Sequence, residues 1–411
     1  MRDQLEVWVD SDIHPRRKIG VLSHDRGTVW FAYDDEWLTS PTAFQIDPRL
    51  QLLSGSAYAL PETGNFGVFL DSAPDRWGQT LMNRRELLAA KDEGRHPRTL
   101  RLWDYLAGVQ DQTRQGALRF KPPGTDRFIA CDELTVPPVT ALAALSDVAT
   151  ELTRTDHDDL SALKQWLSLI VAPGSSLGGA RPKANVVADD GSLWIAKFPA
   201  HQDRRDVGAW EYVTWRLAQQ AHITVPLAAI DRIGSSPYHT FRVRRFDRRG
   251  ATRRFYASAL TLLDKTPGDE ASYLELAEFI SNHGDPAGLE DDLHQLFRRV
   301  AFNVAVGNRD DHLRNHGFIL ENGGWRLAPA FDVNPDPDKA THVLAIDEAD
   351  TRPDIATVRA TAPYYRLPSP VADAIIADVM TAAESWRDTA RRLGLSQEEI
   401  LKTTPAFQSR V

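Results

Sequence analysis

Cysteine is nearly absent from this 411-residue chain: Cys131 stands alone. One thiol excludes an internal disulfide framework and any cysteine-based zinc site, and makes a reducing cytosol the expected setting. No run of eighteen apolar residues occurs, so no membrane-spanning helix is expected. The opening Met1-Arg2-Asp3-Gln4 lacks the apolar core of a secretion signal. Positive charge is in deficit: 48 Lys and Arg against 57 Asp and Glu leave a net charge of −9, which argues against wholesale coating of nucleic acid. The local arginines 244–249 and 253–254 read first as ion-paired strand ends or a solvated face. No internal repeat or long low-complexity tract is present.

What is present suits an ordinary globular protein. With 42% apolar residues, the chain can form two or three domains, each with its own core. Aromatic residues concentrate in the first 40 positions and in 66–77, which predicts aromatic packing near the amino terminus. Short strands are expected at Leu5–Val9, Lys18–Leu22 and Thr28–Tyr33, then a helix over Asp75–Ala90. The polar, Gly- and Pro-containing stretch from Gln112 to Asp126, followed by Pro137-Pro138, places a boundary between about 120 and 145. Helical spacing recurs in Leu142–Arg154 and Ser161–Val171. Ala184–Ala188 and Leu193–Phe198 alternate as a hairpin closed by Asp190-Gly191. Beyond Ser258 the chain reads as mostly helical. One helix carries Leu293, Leu296, Phe297, Val300 and Val304 on a single face and stops at Gly307, and further helices follow over Val371–Leu393 and Gln397–Leu401.

Chemistry concentrates where that buried helix stops. Asp310 and Asn315 lie five residues apart in Asn308-Arg309-Asp310-Asp311-His312-Leu313-Arg314-Asn315, and Asp332 follows 17 residues after Asn315. Each such residue alone is commonly a turn former or cap. Together they are what magnesium-dependent phosphoryl transfer needs: Asp310 to take a hydroxyl proton, Asn315 and Asp332 to hold a metal that bridges phosphates. His312 would hold the loop or lie near the phosphates, and Asp311 would form the turn or support its neighbour. The spacing resembles the HRDxxxxN and DFG pair of protein kinases. Asp332 is expected after a short strand, Leu327–Phe331. Lys197 falls in an otherwise apolar strand, where an ammonium needs an anionic partner, either a nucleotide phosphate with Glu211 or, on the edge of a sheet, water. The loop 173–183 offers three glycines, Ser175, Ser176, Arg181 and Lys183 to phosphates, although it matches neither GxxxxGK[ST] nor GxGxxG.

Several stretches in the right order resemble the HipA-type serine/threonine kinases, toxins of bacterial type II toxin–antitoxin modules. Ser176-Leu177-Gly178-Gly179-Ala180-Arg181-Pro182-Lys183 resembles the phosphate-loop segment of that family, and Trp194–Pro199 its nucleotide-lysine strand. Asn308–Asn315 resembles its N-x-D-D-H-x-x-N catalytic loop, Phe331-Asp332 its metal-binding turn, and Phe66–Gly78 its amino-terminal subdomain. The resemblance implies an α+β, protein-kinase-like two-lobed fold: an amino-terminal α+β subdomain over 1–125, a small lobe over 140–250 and a helical lobe over 251–411. It implies ATP and Mg2+ as cofactors, with Asp310 as base, Asn315 and Asp332 as metal ligands, and Lys197 on the α/β-phosphates. Gly178, Gly179, Ala180, Arg181, Pro182 and Lys183 would cradle phosphate; Arg244, Arg245, Phe246 and Phe331 would border the nucleotide, His312 lying close to it. Arg244 stands where some relatives carry an acidic residue, so adenine contacts would rest on backbone groups there. Ser176 occupies the place of a regulatory serine that becomes autophosphorylated, with Ser175 adjacent; a phosphate would expel the loop and silence the site.

The resemblance further implies a cytoplasmic kinase that phosphorylates a protein of translation, an aminoacyl-tRNA synthetase in characterised relatives, and so arrests growth. Its implied partner is a HipB-like helix-turn-helix antitoxin, through which operator DNA would be reached. Three other readings stand beside it: a small-molecule kinase of the aminoglycoside or choline type, a nucleotide-binding regulator without catalysis, and a scaffold for an antitoxin. The first leaves the Ser176 loop and the 74–78 segment unexplained. The second would have lost one of Asp310, Asn315, Asp332 or Lys197.

Overall fold

The computed structural model describes residues 3–130, 136–152, 181–233 and 236–408. The chain divides into two units: Met1–Gln202 with Asp247–Thr266, and Asp203–Phe246 with Pro267–Val411.

The first unit is built on a five-stranded antiparallel sheet. Its order is Ser56–Tyr58, Thr28–Tyr33, Arg17–Asp25, Asp3–Val9 and Leu118–Lys121. Alternation drives it: Leu5, Val7 and Val9 point inward from one strand and Val29, Phe31 and Tyr33 from another. The amino-terminal aromatics pack as expected, with the Phe69 ring 5.7 Å from Phe31, 6.1 Å from Phe66 and 6.0 Å from Phe120. Arg114 is fully buried among them. Its guanidinium lies over the Phe120 ring and donates to the carbonyls of Ser72, Leu106 and Val109 at 2.8–3.0 Å. Burial pushes its pKa down to about 9, while Asp111 nearby acts to raise it. The expected ion-paired strand ends are also found. Arg248 meets Asp247 at 2.7 Å, Arg253 meets Asp111 at 3.3 Å, and Arg249 and Arg254 meet Asp12 at 3.5 and 3.7 Å.

The expected helix after Asp75 spans Arg76–Asp92, and Asp75 caps it by accepting from Gly78 N at 2.8 Å. The expected hairpin forms between Lys183–Val187 and Leu193–Lys197, with Gly191 supplying φ +77° at its turn. The helix expected over Ser161–Val171 lies outside the described residues.

The second unit is mostly helical. Its spine is the helix Leu289–Val306, whose Leu293, Leu296, Phe297, Val300 and Val304 are all buried. Gly307 ends it at φ +67°, with the Ala406 carbonyl 2.0 Å from where a Cβ would stand, so both conformation and space demand glycine. Two expectations need correction. The helix over 371–393 is two helices, Ser369–Glu384 and Trp386–Arg392. Ser385 breaks it by bonding back to Ala382 O at 2.8 Å, and Trp386 stacks on Phe407 at 4.2 Å. The strand leading to Asp332 is Gly324–Leu327 rather than Leu327–Phe331, because the chain then leaves its hairpin and Ala330 N donates to Thr224 O. Among the described residues, no helix is long and apolar enough to cross a membrane.

Candidate active site

The end of the helix Leu289–Val306 aims the next eight residues. Asn308 N returns to Asn303 O at 2.9 Å, and the Asn308 side chain donates to Asn303 Oδ1 at 3.0 Å. The two adjacent aspartates then part ways. Asp311 turns inward, where its Oδ2 accepts from Tyr273 Oη at 2.6 Å and Asn303 Nδ2 at 2.8 Å and lies 2.7 Å from His316 Nε2. Burial alone would raise its pKa. The His316 ring and the bonds from His316 and Tyr273 outweigh burial and hold the carboxyl below its ordinary value. Asp310 turns outward. Its side chain is 65% exposed and forms an ion pair with Lys339, itself 42% exposed. An exposed pair of this kind contributes less than about 1 kcal/mol. Asp311 therefore anchors the loop, and Asp310 is left exposed on it.

Asn315 closes the short 3₁₀ turn Leu313–Asn315 and is buried. Its Oδ1 has no hydrogen-bond partner among the described residues, a costly state for a buried carbonyl oxygen unless a ligand completes it. A small pocket brings Asn315 together with Asp311, His316, Phe331 and Val333. Asp332 follows in the left-handed region at φ +57°, a sharp turn that an aspartate tolerates. Asn334 N reaches Asn308 Oδ1 at 3.4 Å, tying this turn to the segment 308–315. The Phe246 and Phe331 rings lie 5.5 Å apart. Arg245 is buried, and Arg244 is half-buried at the end of the strand Thr240–Arg244. His312 is half-buried.

Within the first unit, Lys197 is half-buried and directly opposite Lys183 in the hairpin register. Lys183 is held from two sides. Its ammonium is buried against Asp75 at 2.8 Å, and its carbonyl accepts from the Trp77 indole at 2.9 Å. The ion pair ties the start of the hairpin to the cap of the helix Arg76–Asp92 within the first unit. Arg181 is half-buried and Pro182 buried, while Ser175, Ser176, Gly178, Gly179 and Ala180 lie outside the described residues. Asp75→Ala is expected to destabilise the protein by about 1–3 kcal/mol, because it removes both the ion pair with Lys183 and the helix cap on Gly78 N. Chemical unfolding measures this, and an unchanged midpoint would contradict it.

Two residues near the loop carried no sequence signal. Arg309 is buried and donates to the carbonyls of Asp336 at 3.2 Å, Lys339 at 2.5 Å and Pro405 at 3.3 Å. Lys339 is 29 positions from Asp310 and reaches it only through the fold.

Family models match a HipA N-terminal domain at residues 5–119 and a HipA-like C-terminal domain at residues 175–387, the latter more than half of the chain. The chain belongs to the HipA family. A candidate kinase of Haemophilus influenzae is 26% identical to this HipA family member over 190 residues. That match covers 40% of the chain and 54% of the relative, so the chain spans about half the length of the curated protein it matches. A chain from the solved complex of the Shewanella oneidensis MR-1 toxin–antitoxin system, HipA with HipB and operator DNA, is 18% identical. It aligns over 98% of this chain and 96% of its own with a TM-score of 0.69. The likeness shows the fold, which is the α+β fold of the HipA type, as the sequence implied.

Proposed function

We propose that this HipA family chain is an ATP- and magnesium-dependent serine/threonine protein kinase, the toxin of a type II toxin–antitoxin module. The division of labour between Asp310 and Asp311 carries the reading. One carboxylate is locked by three side chains, its neighbour is exposed, and the same segment carries a buried Asn315 Oδ1 with no hydrogen-bond partner among the described residues. A catalytic loop needs that combination of a rigid anchor, a presented base and an open metal ligand.

The donor set suits Mg2+. Among the described residues no group of three or more His, Cys, Asp or Glu could hold a metal, and magnesium in such sites takes few protein oxygens, completing its shell with phosphates and waters. Asn315 Oδ1 and the Asp332 carboxylate would hold it, where it neutralises phosphate charge. Lys197 would contact the α- and β-phosphates, and Phe246 and Phe331 would border adenine. Asp310 accepts the proton of the acceptor hydroxyl as that oxygen bonds to the γ-phosphorus and ADP departs.

The finer reading extends the family resemblance. The acceptor is a serine or threonine of a translation protein, an aminoacyl-tRNA synthetase, in the cytoplasm. Ser176 or Ser175 receives phosphate in self-inhibition. A helix-turn-helix antitoxin binds the chain and carries it to operator DNA, as the HipA–HipB–operator assembly of the Shewanella structure suggests.

Asn315→Ala tests the metal site. ADP release from ATP is followed while magnesium is titrated. The variant is expected to need about tenfold more magnesium for half-maximal rate, and excess EDTA is expected to stop the wild type. A variant with the wild-type magnesium requirement removes Asn315 from the site.

A further inference from the structure

Lys339 has no part in the mechanism above, yet its ammonium sits on the candidate base. The backbone that carries it is fastened to the catalytic loop. Asp336 N donates to Gly307 O at 2.8 Å, and the buried Arg309 guanidinium donates to the carbonyls of Asp336 and Lys339. Val343 N donates to Arg309 O at 3.2 Å, and Asp336 Oδ1 closes the turn by accepting from Asp338 N and Lys339 N. These bonds fix the base of the lysine stem without help from its charge. The ion pair is exposed at both ends and is not what holds the segment. An ammonium delivered by a rigid turn to an exposed catalytic carboxylate is better placed for a reaction than for stability.

We propose that Lys339 is a catalytic residue of phosphoryl transfer, guarding Asp310 in the resting protein and contacting the γ-phosphoryl oxygens during the reaction. The inference rests on the kinase reading. In the transition state negative charge spreads over three equatorial phosphoryl oxygens next to the attacking hydroxyl. The hydroxyl must take the place of Lys339 on the Asp310 carboxylate, and the displaced ammonium, with three donors on a flexible stem, moves to those oxygens. The acceptor oxygen forms its bond to the γ-phosphorus as the bond from that phosphorus to the bridging oxygen breaks. ADP leaves with the electron pair, Asp310 takes the acceptor proton, and Lys339 keeps its own.

The test compares the full-length wild type with Lys339→Ala, Lys339→Met and Lys339→Arg, reading ADP release across ATP concentrations at saturating magnesium, with thermal melts alongside. Ala and Met variants are expected to melt with the wild type, keep its half-saturating ATP concentration and turn over about 100-fold more slowly. Arginine is expected to restore part of the rate. If the alanine variant fails to fold, the methionine variant, which keeps the stem, decides. An active wild type matched by its Met variant overturns the role of Lys339 alone, as does an effect confined to half-saturating ATP. A wild type that releases no ADP overturns the kinase reading and this inference together.

Discussion

Asp310→Asn is expected to lower ADP release by about 1,000-fold while leaving the thermal melt unchanged. General-base assistance is worth about 10²–10⁴ in rate, and the amide cannot accept the hydroxyl proton. The side chain is 65% exposed and pairs with the exposed Lys339, so little of the fold depends on it. Loss of rate with an intact melt separates chemistry from stability. An Asn variant that keeps wild-type turnover would leave the reaction without its proposed base.

Asp311→Ala is expected to do the opposite first, unfolding the protein more easily by about 3–5 kcal/mol and losing activity as a consequence. The substitution leaves Tyr273 Oη, Asn303 Nδ2 and the His316 ring, all buried, without their shared acceptor. The effect depends on pH with a definite sign. The Asp311 carboxyl titrates below its ordinary value in the folded chain, so its contribution is fully present above about pH 4 and fades as pH falls further. His342, buried near Asp311 and Arg309, has its pKa lowered to about 4, chiefly by burial. The unfolded chain therefore takes up a proton there first, and stability also drops as pH falls from about 6.5 toward 4. Denaturant midpoints measured from pH 7 to pH 3 should decline in the wild type. Below pH 4 they should decline less in the Ala variant. Parallel curves there would show that Asp311 does not act as an ionised anchor.

Local features were readable in the residues themselves. The strand at Thr28–Tyr33, the turn at Asp190-Gly191 and the helix stop at Gly307 each depend on alternation or on a backbone that glycine alone adopts readily. The site was readable as a set of residues but not as an arrangement. The spacing to Asn315 singles out Asp310 over Asp311, but the side chains that draw Asp311 inward, Tyr273, Asn303 and His316, are brought to it by the fold. The ion pair of Lys183 was not legible, because its partner Asp75 is 108 positions away. Arg309 and Lys339 were silent for the same reason: their partners are carbonyls and a carboxylate brought close only by the turn at 336–339. The break at Ser385 pairs a local bond back to Ala382 O with a Trp386–Phe407 stack that only the fold brings together.

Phosphate transfer to the chain itself tests the central claim most directly. Wild type and Asp310→Asn, first stripped of phosphate, are incubated with ATP and magnesium, and their intact masses are followed by peptide mapping. The wild type is expected to gain about 80 Da, one phosphate, on Ser175 or Ser176, and the variant nothing. Equal gain in both proteins, or none in a wild type that also releases no ADP, would contradict the account.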